Sequence, residues 1–330
     1  MTEQSNNLVR QENTRITLQA EVQAGQSGKR LDQIAAQLFP EYSRARLQDW
    51  IKTGQLLVNG QQLRPRDKLK EGDALNVQAE LQASAEWEAE PLALDVVFED
   101  EHLLVVNKPA GTVVHPAAGN YSGTLLNGLL HRYPALEQLP RAGIVHRLDK
   151  DTTGLMVVAK TLQTHNALVN LLQIRNVSRE YEAVVQGVLT GGGLVDAPVG
   201  RHPVNRKKQA VTHNGKPALT HYRVAKRFRS HTHVHLKLET GRTHQIRVHM
   251  AHINHPLVGD PVYGGRFQLP AACSPELADS LRQFRRQALH ARRLSFVHPI
   301  TDQELSWEAA LPEDMQLLLS SLKQESSLAE

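Results

Sequence analysis

The chain has 330 residues, 40% of them apolar, which at roughly 150 residues per domain suits about two domains with their own cores. Lys and Arg total 38 against 34 for Asp and Glu; the net charge of +4 and sequence pI near 9.2 suit a polyanionic partner and equally an ordinary, mildly basic enzyme. The lone Cys273 excludes an intramolecular disulfide framework and any thiolate cluster for zinc or iron–sulfur.

The opening residues, MTEQSNNLVRQENTR, hold no apolar signal core, and no later run approaches the roughly 20 apolar residues of a membrane-spanning helix. A reducing cytoplasm without membrane association is therefore expected. Residues 1–15 are polar and aperiodic and read as a disordered leader. From Arg30, RLDQIAAQLFP sets Leu31, Ile34, Ala35 and Leu38 at helical spacing, and Pro40 stops the helix. A second helix, RARLQDWIK, takes Ser43 as its N-cap; Leu47, Trp50 and Ile51 form its apolar face while Arg44, Arg46 and Lys52 stay outside. LLVNG then predicts a short strand ending at an Asn-Gly turn, and KLKEGDALNVQ another strand after Gly72 and Asp73. Residues 81–91 are acidic and aperiodic, as a linker would be.

The larger domain is expected over residues 92–322, with residues 323–330 as a flexible tail. Its strands, among them LDVVFED, HLLVVNKP, LMVVAK, YEAVVQG, THYRVAKRF and HVHLKLE, are short and rich in Val and Leu, which predicts a mixed sheet. The 3.6-residue rhythm predicts helices over Thr124–Tyr133, over Thr161–Arg175 and from near Thr243. No phosphate-binding glycine loop occurs, so no nucleotide cofactor is expected.

GIVHRLDKDTTGLMVVAK places Asp149 on a polar loop between a strand near Gly143–Val145 and one at Leu155–Ala159, where a carboxylate can face a cleft. Generic physics does not select Asp149 over Asp151, and Asp-Thr-Thr-Gly serves equally well as a capped turn. Between Asp196 and Glu239 there is no acidic residue, yet Arg201, Arg206, Lys207, Lys208, Lys216, Arg223, Lys226, Arg227 and Arg229 fall there, a natural phosphate track. His249, His252 and His255 recur every three residues, and His231, His233 and His235 alternate along a strand. Such histidines bind metal only where a third ligand and open geometry converge; they read instead as groove-lining or structural, and no metal is expected.

HRLDKDTTGL resembles the signature of the pseudouridine synthases of the RluA type, and SREYEAVV and LETGRTHQIRVHMAHINHPLVGDPVYGG follow in that family's order. Residues 16–80, through RLDQ…SRARLQDWIKTGQLLVNG…KEGDALNV, resemble the small RNA-binding domain of ribosomal protein S-four. The resemblance implies an α+β fold: a mixed, mainly antiparallel catalytic sheet with flanking helices behind a small N-terminal module. It implies a cofactor-free isomerase in which Asp149 is the catalytic carboxylate, Arg247 its partner, and Tyr181 the ring that stacks on the target base and assists the last proton removal. Arg147 would fill the place of a flipped base, with Arg44, Arg46, Lys52, Arg206, Lys207, Lys208 and Arg242 as further RNA contacts.

Turning uridine into pseudouridine breaks a carbon–nitrogen bond to ribose and makes a carbon–carbon bond to the same sugar. Asp149 could attack the anomeric carbon or take a proton from the neighbouring one, and the sequence leaves both routes open. With no heptad or exposed apolar strip to suggest an obligate oligomer, a monomer is expected; the full-chain resemblance points to large-subunit (23S) ribosomal RNA or the pre-ribosomal large subunit, in a subunit-interface stem-loop. The competing readings are a tRNA synthase of the same family, a non-catalytic RNA-binding assembly factor, and an N-glycosidase that releases uracil.

Overall fold

The computed structural model describes residues 14–40, 42, 44–81, 87–116, 120–206 and 208–327. Most of the leader, the Ser43 cap, Lys207 and the middle of the linker lie outside the described residues. The chain divides into two compact units, residues 1–88 and 89–330.

In the first unit, β1 (Thr14–Glu21), α1 (Leu31–Leu38), α2 (Arg44–Lys52), β2 (Leu56–Val58) and β3 (Ala74–Leu81) form two helices and an antiparallel sheet in the order β1-β3-β2. Leu31, Ile34, Leu47, Ile51, Leu56 and Leu75 are fully withdrawn from water in one core. Each such side chain contributes about 1.5–3 kcal/mol. Asn59 and Gly60 both have positive φ (50° and 78°), the backbone an Asn-Gly hairpin turn requires. β1 begins inside the segment read as leader; TRITLQAE alternates and pairs with β3 from Thr14.

The second unit contains β4 (Val96–Glu99), β5 (Leu103–Lys108), α3 (Leu125–Arg132), β6 (Thr153–Ala159), α4 (Leu162–Gln173), β7 (Ser178–Gln186), β8 (Gly193–Asp196), β9 (Val199–Arg201) and β10 (Gln209–Val211). It continues with β11 (Leu219–Arg227), β12 (His231–Leu238), α5 (Gln245–His252), α6 (Pro275–Gln283), β13 (Leu289–Val297), β14 (Glu304–Glu308) and α7 (Glu313–Ser327). Nine strands make one sheet in the order β4-β5-β6-β13-β7-β12-β11-β8, with β14 on β13; β9 and β10 form a separate ribbon. Every pairing in the large sheet is antiparallel except β6 with β13.

That parallel contact explains a glycine of the signature. Gly154 has φ 114°, and a Cβ there would lie 2.2 Å from the Ala291 carbonyl oxygen, so only glycine lets β6 meet β13 as it leaves the Asp149 loop.

Two further expectations need correction. The segment near Gly143–Val145 is a 3₁₀ turn, Pro140–Gly143, followed by a single bridge from Ile144 to Val158, because Arg141 and Ala142 hold positive φ and break the extended run. The tail expected after Leu322 is helical to Ser327: Met315, Leu318 and Leu322 are buried along one face of α7 in a core shared with α6, and buried Glu325 accepts from the Ser274 backbone N–H (3.0 Å). Glu-rich composition hid that face.

Candidate active site

The Asp149 loop is fixed by its backbone. Thr152 N–H donates to the Asp149 carbonyl (3.0 Å), closing a turn, and the Thr152 hydroxyl accepts from Gln287 (2.9 Å). Two buried cations hold the carbonyls that follow. Lys108 Nζ donates to Lys150 O (2.9 Å), Pro109 O and Thr112 O, and Arg286 donates to Asp151 O (3.2 Å) while pairing with Asp314. Burial pushes the Lys108 ammonium down to about 8, against the pull of Asp151 and Asp149.

The opposing element is α5. Gln245, at its first position, accepts from Thr240 Oγ1 (2.7 Å) and Arg242 N (3.0 Å) and donates to Leu219 O and Thr220 Oγ1 (both 2.9 Å), so it ties the helix start both to the loop before it and to β11. The preceding residue, His244, adopts a left-handed conformation (φ 57°), a strained backbone for a residue with a side chain.

From that start Arg247 reaches two carboxylates. Its Nε and Nη2 make a bidentate pair with Asp260 (2.7 and 2.9 Å), and its Nη1 donates to Asp149 Oδ2 (2.9 Å). Burial disfavours the Arg247 charge, but the Asp260 hydrogen bonds and the charges of both carboxylates more than offset it and raise the guanidinium above its usual range. Asp260 is fully buried and also accepts from Val262 N and Tyr263 N; burial pushes its carboxyl up, and the Arg247 bonds bring it below the carboxylate range. Asp149 keeps 16% of its side chain exposed, and its Oδ1 lies 3.7 Å from His244 Nε2. The other ring nitrogen of His244 is 2.7 Å from the Tyr263 hydroxyl, and burial lowers the imidazole pKa against the opposing charge of Asp149.

Asp149, Arg247, His244, Tyr181, Arg147 and Arg242 line one cavity of about 690 Å³. Tyr181 lies on β7 between Leu236 and Ala291, and burial pushes its phenol above the usual range. The phenol is thus a proton donor at neutral pH. Arg147 is exposed at the cavity and forms no ion pair among the described residues. Arg242 donates to Pro217 O (3.1 Å).

The remaining basic residues fall elsewhere. Arg46 and Lys52 are exposed on α2; Arg44, half-exposed, is held by Asp32 of α1 (2.7 Å). Arg206 is exposed beyond β9, and Lys208 donates to Val262 O (3.1 Å). In the acid-free stretch, Arg227 spends its guanidinium on the carbonyls of Leu189 and Thr190, and Arg229 on the Ala272 carbonyl and the Glu325 carboxylate.

His249 bonds Thr220 Oγ1 (2.9 Å) and Ala197 O (2.8 Å), and His255 bonds Gln186 O (2.8 Å). His233 and His235 do find a third potential ligand in Glu182 (2.9 and 3.7 Å), and the three ligand atoms lie within 4.8 Å of one another; Arg292 pairs with the same carboxylate (2.8 Å). Sequence reasoning missed Lys108, His244, Asp260 and Arg286; Asp260 stood in the quoted segment HPLVGDPVYGG, and Lys108 in a run read only as strand.

Residues 102–252 match the family model described as RNA pseudouridylate synthase, and residues 29–75 match the S4 domain. The chain is 61% identical over 306 residues to ribosomal large subunit pseudouridine synthase D of Pseudomonas aeruginosa, covering 93% of this chain and 96% of the relative. The protein of that name from Escherichia coli strain K12 is 53% identical over 310 residues, covering 94% and 95%. Among solved structures, Human RNA Pseudouridylate Synthase Domain Containing 4 is similar at 28% identity with a TM-score of 0.55, over 69% of this chain and 92% of that one. The chain therefore belongs to the RNA pseudouridylate synthase family and is an RNA pseudouridine synthase carrying an N-terminal S4 domain.

Proposed function

We propose that this enzyme isomerises particular uridines of large-subunit ribosomal RNA in the cytoplasm, at a subunit-interface stem-loop, with Asp149 as the catalytic carboxylate. The observation that carries the reading is the chain Asp260–Arg247–Asp149. One carboxylate is saturated and buried, the guanidinium is locked, and the second carboxylate keeps an oxygen toward the cavity. Relatives named as ribosomal large subunit synthases support the choice of RNA.

A uridine inside folded RNA must leave its stack to reach Asp149, at a cost of a few kcal/mol. Arg147, exposed beside the cavity, takes the vacated place, its planar guanidinium stacking between the neighbouring bases. Tyr181 stacks on the extruded base; its protonated phenol suits the role of donor or stacking platform better than that of base. Arg247 orients the Asp149 carboxylate toward the ribose, where it either bonds to C1′ or removes the 2′ proton as the C1′–N1 bond breaks. The cavity then confines the freed uracil while it turns and rejoins through C5.

The test is tritium release from RNA labelled at C5 of uracil, run on large-subunit rRNA and on tRNA with chromatography for free uracil. Release from rRNA without free uracil supports the assignment. Release from tRNA alone moves the substrate within the family, and stoichiometric free uracil makes the protein a glycosidase.

A further inference from the structure

Arg179 differs from the other arginines around the cavity. It stands two residues before Tyr181 on β7, so both side chains project from the same sheet face, and both line the cavity. Arg179 is only 9% exposed, yet among the described residues no ion pair or hydrogen bond holds its guanidinium, and its Nε is buried without a partner. Its neighbours are engaged: Arg175 pairs with Glu239 (2.8 Å), Arg242 with a carbonyl and Arg247 with two carboxylates.

A buried cation without a counter-ion is costly in the free protein, and such groups persist where a ligand completes them. The loop between β12 and α5 is shaped around it. A Cβ at Gly241 would lie 2.6 Å from Arg179 Nη1, so any larger residue there would push the guanidinium aside.

We propose that Arg179 binds the uracil ring once its bond to ribose has broken, donating hydrogen bonds to a carbonyl oxygen of the base anion. The inference rests on the roles given above to Asp149 and Tyr181. When C1′–N1 breaks, its electron pair leaves with the base, and one negative charge spreads over N1, O2 and O4. It is discharged when C5 bonds to C1′, C5 gives up its proton and N1 takes one. The guanidinium stays protonated throughout and supplies charge where the anion forms.

Depth favours the base over a backbone phosphate. Arg141 is exposed at the cavity and available to phosphates, whereas Arg179 is recessed beside the ring on which the base stacks. Arg179, Asp149 and Tyr181 all line the same cavity.

The experiment measures single-turnover rates and RNA affinity for the full-length wild type, Arg179→Gln, Gly241→Ala and Asp149→Asn. The substrates are large-subunit rRNA transcripts carrying either uridine or 5-fluorouridine, followed by chromatography of digested nucleosides. The fluorine stabilises the uracil anion, so it lessens the need for Arg179; because C5 then carries no proton to lose, the rate read on 5-fluorouridine is its disappearance into the C5-linked, fluorine-retaining adduct and not the formation of pseudouridine. The expected result is a rate loss of about 10²–10³-fold for Arg179→Gln on uridine with affinity kept within about twofold, and a markedly smaller loss on 5-fluorouridine. Gly241→Ala, which keeps the arginine but displaces it, should show the same pattern in weaker form and carries the test should Arg179→Gln fail to fold.

Weakened binding with a salt slope reduced by about 1 and an unchanged bound-state rate would make Arg179 a phosphate contact and overturn the proposal. Equal losses on both nucleosides would reduce it to a structural residue. Full activity of Asp149→Asn would instead remove the reading beneath it, and is seen separately.

Discussion

Each unit holds a buried ionic hub, Asp32 in one and Arg247 in the other, and these two hubs are wired in opposite senses. In the N-terminal unit the centre is a carboxylate: Asp32, fully buried, accepts from Arg30 (3.0 and 3.1 Å), Arg44 (2.7 and 3.2 Å) and Gln48 (2.7 Å). Burial pushes its carboxyl up, and the bonds from Arg44 and Gln48 bring it below the ordinary carboxylate range. In the catalytic unit the centre is a cation, Arg247, which saturates Asp260 and holds only one oxygen of Asp149. A carboxylate whose lone pairs are all taken can hold helices together and do little else. One with a fixed orientation and a free oxygen facing a cavity can do chemistry.

The largest effect expected from breaking this pattern is at the catalytic hub. Arg247→Gln should slow the bound-state reaction by about 10²–10³-fold and cost about 3 kcal/mol of stability, because Asp260 is left buried without its partner. Single-turnover kinetics and urea unfolding measure the two losses separately. Asp32→Ala should leave single-turnover chemistry intact while destabilising the first unit by about 2 kcal/mol, the low side for a buried pair because its arginines are half-exposed. Hydrogen exchange should then show α1 and α2 opening while β7 and α5 stay protected.

Mild acid should separate the units with a smaller effect. Burial lowers His146 from the ordinary 6.5 to about 3 and His231 to about 4, and His146 accepts from the Val157 N–H (3.1 Å), as only a neutral ring can. The unfolded chain takes up protons below about 6.5 that the folded rings refuse, so the catalytic unit loses stability as pH falls from about 6.5 toward 3. The N-terminal unit has no histidine. Asp32 supplies its main titration: stability present above the ordinary 3.8 and lost only as pH falls through the lower folded value. Exchange protection in β6 and β12 should therefore decline at pH 5 while that in α1 does not.

How much of this was legible in the sequence follows from range. Periodicity found α1, α2, α3 and α4 within a residue or two, because apolar spacing is a local property. The signature singled out Asp149, Tyr181, Arg147 and Arg247, which the fold gathers around one cavity from β7, α5 and the loop before β6. What stayed hidden depends on distant partners. Asp260 acts through Arg247, and Lys108 and Arg286 act through carbonyls of the Asp149 loop. Gly154 needs the Ala291 carbonyl of β13 to explain it. Arg44 shows the converse: on its own helix it looks like a free RNA contact, and only the fold of the first unit shows Asp32 holding it.

The most direct measurement is tritium release from C5-labelled large-subunit rRNA by wild type and Asp149→Asn, with circular dichroism and RNA affinity measured on the same samples. Asp149→Asn keeps the size of the side chain and removes its charge. The expected result is a rate lowered by about 10³-fold or more with fold and affinity retained. Release by Asp149→Asn at the wild-type rate would contradict the account and move the chemistry to another group in the cavity.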